Sequence, residues 1–139
     1  MQIQRIQTLW LILALASMVA FIVMPFGTLD VPGVGVTALR PYDFTGLIIP
    51  AGLAALFMLL AIVGFRNLST QRSETVLAIM MTLVSVGITV YVLCDRATIG
   101  VIEWGWPVVF LASALLFCVL AIIGINHDMK LLRSYDRLR

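Results

Sequence analysis

Residues 104–126 read WGWPVVFLASALLFCVLAIIGIN, and no charged side chain interrupts them. A helix of roughly 20 residues, at 1.5 Å per residue, crosses a hydrocarbon core about 30 Å thick. Three other charge-free runs have this character: Ile6 to Leu29 after Arg5, Phe44 to Phe65 after Asp43, and Thr75 to Cys94 after Glu74. Four such runs take up most of the 139 residues. The composition agrees, with 62% apolar and 12% charged residues, against roughly 45–50% and 25% in soluble domains. The expected fold is all-α, a single antiparallel four-helix transmembrane bundle with spans near 6–26, 44–65, 75–94 and 105–126. Residues 127–139 then form a basic amphipathic tail.

The first run continues to Phe26, past the 7 to 15 residues of a secretory h-region, and reads as a retained anchor. Orientation follows from the basic residues. Arg5, Arg66, Arg72, Lys130, Arg133, Arg137 and Arg139 fall on one side of the four spans, and Arg40 and Arg96 on the other. The positive-inside rule then places both termini and the 66–74 connection in the cytoplasm, an N-in/C-in topology. Basic residues split among three segments beside hydrophobic spans are a poor nucleic-acid stripe, so no nucleic-acid partner is expected.

Residues 54–67, AALFMLLAIVGFRN, recur with changes as ALLFCVLAIIGINH at 114–127. A shorter echo links RIQT at 5–8 to RSET at 72–75, which suggests two hairpins repeated in the same orientation. Small residues let helices approach in lipid, so Ala16 with Ala20, Ala61 with Gly64 and Ala121 with Gly124 are expected packing notches. Pro50, four residues after Gly46, should bend the second span near its outer end. Between the first two spans, LDVPGVGV alternates around the turn pair Pro32-Gly33, which suits a short hairpin, and ATIGVIEWGW could add a strand. The competing reading is an ordered loop. Tyr42, Phe44, Tyr91, Trp104 and Trp106 read as an outer aromatic belt, with Trp10 on the inner side.

Chemistry is sparse. The spans hold no ionisable side chain other than cysteine, and their hydroxyls usually bond back to the helix. Thr82, Ser85 and Thr89 share a face read as turned into the bundle; a polar permeation path is the sharper alternative. Cys94 and Cys118 sit at different depths and are expected to be free thiols. His127 has no ligand partners at metal-binding spacing. With no phosphate loop, nucleophile–base pair or intramembrane carboxylate pair, no catalytic residue, metal or cofactor is expected.

In the tail, Ile125, Met129, Leu132 and Tyr135 form one stripe, while Lys130, Arg133 and Arg137 face elsewhere. Arg133 and Asp136 have the i, i+3 spacing of an ion pair. The tail reads as a basic segment held by anionic lipid or as a docking handle for a protein. The two ends are expected to meet, with Arg5 and Gln7 near Asp128 or Asp136.

The opening IQRIQT at 3–8 and the closing RS-x-DRLR at 133–139 resemble a family of small four-span membrane proteins of Bacteroidota, a domain of unknown function numbered 4293. Ile3 to Thr8 carry the first motif, and Arg133, Ser134, Asp136, Arg137, Leu138 and Arg139 the second; Tyr135 stands where a small residue is expected. The resemblance implies the inner membrane of a diderm bacterium and no reaction. The expected role is a non-enzymatic accessory or scaffold subunit in contact with membrane lipids and a protein partner. The alternative is a small transporter or channel made by homo-oligomerisation. Candidate contacts are Arg5, Gln7, Arg66, Arg72, Lys130, Arg133, Asp136, Arg137 and Arg139.

Overall fold

The computed structural model describes the backbone of residues 2–139, and side chains from Ile6 onward. Four helices account for most of it: α1 (Gln2–Val23), α2 (Thr45–Val63), α3 (Leu68–Arg96) and α4 (Val108–Arg137). All four are long and apolar enough to cross a membrane. They form a ring in which α1 packs on α2 and α4, and α3 also packs on α2 and α4. Both chain termini therefore lie at one end of the bundle, the terminal end.

The opposite end carries the β element. Strands β1 (Gly27–Val31) and β2 (Gly35–Leu39) form a hairpin, and β3 (Val101–Trp104) pairs antiparallel with β1 on its other edge. The turn is the one the sequence called for: Val34 N–H donates to the Val31 carbonyl at 3.0 Å, with Pro32 and Gly33 as the central pair and Gly33 at φ 89°. Phe26 joins sheet to bundle. It donates to Leu39, accepts from Gly105 N–H, and buries its ring completely between Phe21 and Phe44. Phe44 is thus a half-buried packing residue, whereas Tyr42, Tyr91, Trp104 and Trp106 are exposed, as a belt requires.

The core has a seven-residue rhythm. Gln7, Leu11, Ala14, Met18 and Phe21 are buried on α1; Ala51, Ala54, Met58 and Ala61 on α2. Gln71, Thr75, Ala78, Thr82, Ser85 and Thr89 are buried on α3, and Leu111, Ala114, Cys118, Ala121, Ile125 and Asp128 on α4. Alternating steps of four and three keep one stripe of each helix facing its neighbours, as in coiled coils. The buried α2 positions recur on α4 at the offset of 60 seen between the two similar segments, so that repeat is structural. The RIQT/RSET echo is out of register with the fold: Gln7 corresponds in burial to Gln71, and Leu11 to Thr75, an offset of 64 rather than 67.

Two other expectations change. Ala16 is exposed and Ala14 is the packing residue of that turn, because Ala14 and not Ala16 is in phase with Leu11 and Met18. The 66–74 connection is shorter than expected. Asn67 accepts hydrogen bonds through its side chain from Ser69 and Thr70 N–H and so starts α3 at Leu68, placing RSET inside the helix. Asn67→Ala should cost about 1 kcal/mol, read as a lower unfolding midpoint in detergent. The stripe read in the tail requires α4 to continue past Asn126, and the helix runs unbroken to Arg137.

Candidate functional site

Each helix contributes an innermost buried residue at the terminal end. On α1 it is Gln7, on α3 Gln71 and on α4 Asp128; on α2 it is Ala61. Three of these four are polar, whereas the layer above them holds Leu11, Met58 and Ile125 with Thr75 as its one polar member. Gln7 Nε2 donates to Asp128 Oδ2 at 2.5 Å, joining the first and last helices. The approach depends on Gly124, one turn before Asp128: a Cβ there would lie 2.9 Å from Gln7 Cγ. Gln7 lies in the notch that Gly124 leaves.

The layer is incompletely satisfied within the protein. Gln7 Oε1, Asp128 Oδ1, Gln71 Nε2 and Glu74 Oε2 are buried without a hydrogen-bond partner, a concentration that native interiors rarely tolerate. Gln7 and Gln71 are each 1% exposed and Asp128 8%. Glu74 lies one turn along α3 from Gln71 and is half-buried.

Below this layer α4 continues farther than the other helices. From Asp128 to Arg137 it projects about 14 Å at 1.5 Å per residue. The projection leaves Leu131, Leu132, Tyr135 and Leu138 exposed. Between it and the α2–α3 turn lies a groove of about 450 Å³, lined by Arg66, Asn67 and Ser69 on one wall and Met129, Arg133 and Asp136 on the other.

These placements sort the sequence-predicted contacts. Arg66, Arg72, Lys130, Arg133, Asp136, Arg137 and Arg139 are all exposed at the terminal end. Arg66, Arg133 and Asp136 meet around the groove, and Arg66 packs over the Phe65 ring with its guanidinium carbon 5.9 Å from the centroid. Gln7 is a correction: it is a core residue, in phase with Leu11 and Ala14, and is not available to a partner. The Arg5 side chain, expected near the tail, lies outside the described residues. The expected meeting of the ends is made by Gln7 and Asp128, while Asp136 faces the α2–α3 turn instead. Arg133 and Asp136 do not pair; among the described residues no ion pair is formed.

The hydroxyl face of α3 is turned inward as expected, but it is closed. Thr75, Thr82, Ser85 and Thr89 each donate to the carbonyl four residues earlier, at 2.7 to 2.9 Å. All four are buried. Hydroxyls consumed by their own helix offer nothing to a permeating solute. Cys118 is buried and Cys94 exposed, both as free thiols.

Gln71 and Asp128 were not singled out as a site by sequence reasoning. Their signal was the seven-residue phase, in which Gln71 precedes Thr75 and Ala78, and Asp128 follows Ala121 and Ile125. No curated protein matches the chain. The profile of a family described as a domain of unknown function, DUF4293, matches residues 3–138. A match over nearly the whole length, on a four-span bundle whose two ends meet, settles the relationship: the chain belongs to the DUF4293 family.

Proposed function

We propose that this is a non-enzymatic integral protein of a bacterial inner membrane that acts by contact, as an accessory or scaffold subunit of a larger membrane assembly. The terminal end is its cytoplasmic face. One observation carries the reading: α4 leaves the bundle as an uninterrupted helix, and Leu131, Leu132 and Tyr135 on it and Leu138 at its C-cap stand where the described residues offer no cover. A helix that continues straight out of a span cannot lay this stripe on the bilayer, so a protein is the surface that suits it. The basic residues around it interact with anionic headgroups, at about 1 kcal/mol per residue near the surface.

Affinity isolation from native membranes in mild detergent tests the reading. A stoichiometric heteromeric partner is expected with the wild-type chain and is lost with Leu132→Glu/Tyr135→Glu, which leaves the buried layers untouched. Recovery of the chain alone contradicts it. Self-assembly as a conduit is the second reading; the closed hydroxyl face of α3 weighs against it.

A further inference from the structure

We propose that the groove between the α2–α3 turn and the projecting end of α4 binds the headgroup of a primary-amine phospholipid of the phosphoethanolamine class, its phosphodiester held by Arg66 and Arg133 and its ammonium by Asp136. Three charges surround one cavity. Arg66 on the turn and Arg133 and Asp136 on α4 line the same groove of about 450 Å³, a size within the roughly 300–1,000 Å³ of small-ligand clefts. All three are exposed, and among the described residues none of them forms an ion pair. Arg133 and Asp136 have the spacing of a helical pair and still stay apart, so the carboxylate ties up neither guanidinium. An occupant that fits this groove must answer both signs.

The charges select among headgroups. A phosphodiester accepts from planar guanidiniums, the side chains best matched to its oxygens. A purely basic groove would suit any anionic lipid, but an anionic headgroup such as phosphatidylglycerol leaves Asp136 facing a second negative charge. A trimethylammonium group has no N–H to donate to that carboxylate, whereas a primary ammonium has three. The spacing agrees: residues three apart on a helix have Cβ atoms about 5–6 Å apart, a separation that the two-carbon link between phosphate and nitrogen can bridge. Depth identifies the source as a lipid. The 19 residues of α2 cover about 28 Å, close to the thickness of the hydrocarbon core, and Arg66 follows Val63 after a short turn, at headgroup level. Leu68, Met129 and Leu132 line the groove beside the charges and suit the glycerol and the first methylenes. The site rests on the four spans and not on the accessory role, so either can fail alone.

The test is native mass spectrometry of the full chain in detergent, titrated separately with phosphatidylethanolamine, phosphatidylcholine and phosphatidylglycerol of matched acyl chains and with soluble glycerophosphoethanolamine. Phosphatidylethanolamine is expected to bind about fivefold tighter than either other lipid, the scale of one charge-assisted contact at a partly exposed site. Arg66→Gln and Arg133→Gln should each weaken its binding by a similar factor. Asp136→Asn should erase the preference over phosphatidylcholine, while Arg139→Gln, outside the groove, changes nothing. The comparison of lipids on the wild-type chain needs no variant to fold. Equal binding of the ethanolamine and choline lipids overturns the site, as does a preference that persists in Asp136→Asn. Phosphatidylglycerol binding as tightly also overturns it, because the groove is then only a basic surface. Glycerophosphoethanolamine binding as tightly as the lipid overturns the lipid assignment in favour of a free headgroup. Absence of lipid discrimination, with a co-isolated protein lost in Arg66→Gln/Arg133→Gln, overturns it in favour of a protein occupant.

Discussion

Gln7→Leu is expected to lower the unfolding free energy by about 3 kcal/mol or more, because it leaves the Asp128 carboxylate in the core without its donor. Asp128→Leu should cost less, about 1 to 3 kcal/mol, since the group it strands is the neutral amide of Gln7. The double variant Gln7→Leu/Asp128→Leu should recover most of the loss, as replacing both members of a buried polar pair by apolar groups of similar shape is often close to neutral. Denaturant or SDS titration of the four proteins, arranged as a double-mutant cycle, measures the coupling directly. Additive losses would mean that the 2.5 Å contact joins the two helices in geometry but not in energy.

The second large effect is steric. Gly124→Leu should destabilise by about 3 to 4 kcal/mol: overpacking costs about 1 to 3 kcal/mol, and the side chain displaces Gln7 from Asp128, adding a share of that pair. The contact begins at Cβ, which would stand 2.9 Å from Gln7 Cγ. Gly87→Leu is the matched comparison. A Cβ at Gly87 meets nothing within 4 Å, and replacing a helical glycine there should gain up to about 1 kcal/mol from helix propensity. The two substitutions should therefore move the unfolding midpoint in opposite directions. If both are tolerated alike, the packing of Gln7 into the Gly124 notch is not what closes the bundle.

The contrast between Gly64 and Gly124 shows what the sequence does and does not disclose. Both end the same LAI(V/I)G motif, and the expectation that both form packing notches rests on that likeness. Yet Gly64 is the C-cap of α2, because Asn67, three residues on, captures two backbone N–H groups and starts a new helix. After Gly124 the chain reads INHDMKLLR. It has no such cap and a good helix-forming run, so α4 continues. The spans themselves were legible because the bilayer imposes length and charge limits that leave few alternatives. The inward face was harder to read. Lipid-facing positions such as Leu13, Leu56, Leu83 and Leu116 are as apolar as the core, and the contrast that marks a soluble amphipathic helix is lost.

That loss explains the error at Gln7. Read as the polar foot of a span, it suggested a surface contact; read in phase with Leu11, Ala14, Met18 and Phe21, it belongs to the core. The same phase separates Ala14 from Ala16 on α1 and moves the structural repeat of α1 and α3 away from the RIQT/RSET echo. The tail was read more closely. Its apolar residues Leu132 and Tyr135 are exposed as the pattern implied, but Arg133, expected to face elsewhere, lines the same groove as Met129 and Leu132.

The account depends most on which side of the membrane this face occupies, and single-cysteine labelling measures it. In a background carrying Cys94→Ser to remove the exposed native thiol, Thr37→Cys marks β2 at the sheet end and Ser134→Cys marks the projecting turn of α4. The predicted result is that a membrane-impermeant maleimide, with the outer membrane opened, labels Thr37→Cys in intact spheroplasts and Ser134→Cys only after the inner membrane is permeabilised. Labelling of Ser134→Cys in intact spheroplasts would contradict the cytoplasmic assignment of the groove, the exposed stripe and the polar layer together.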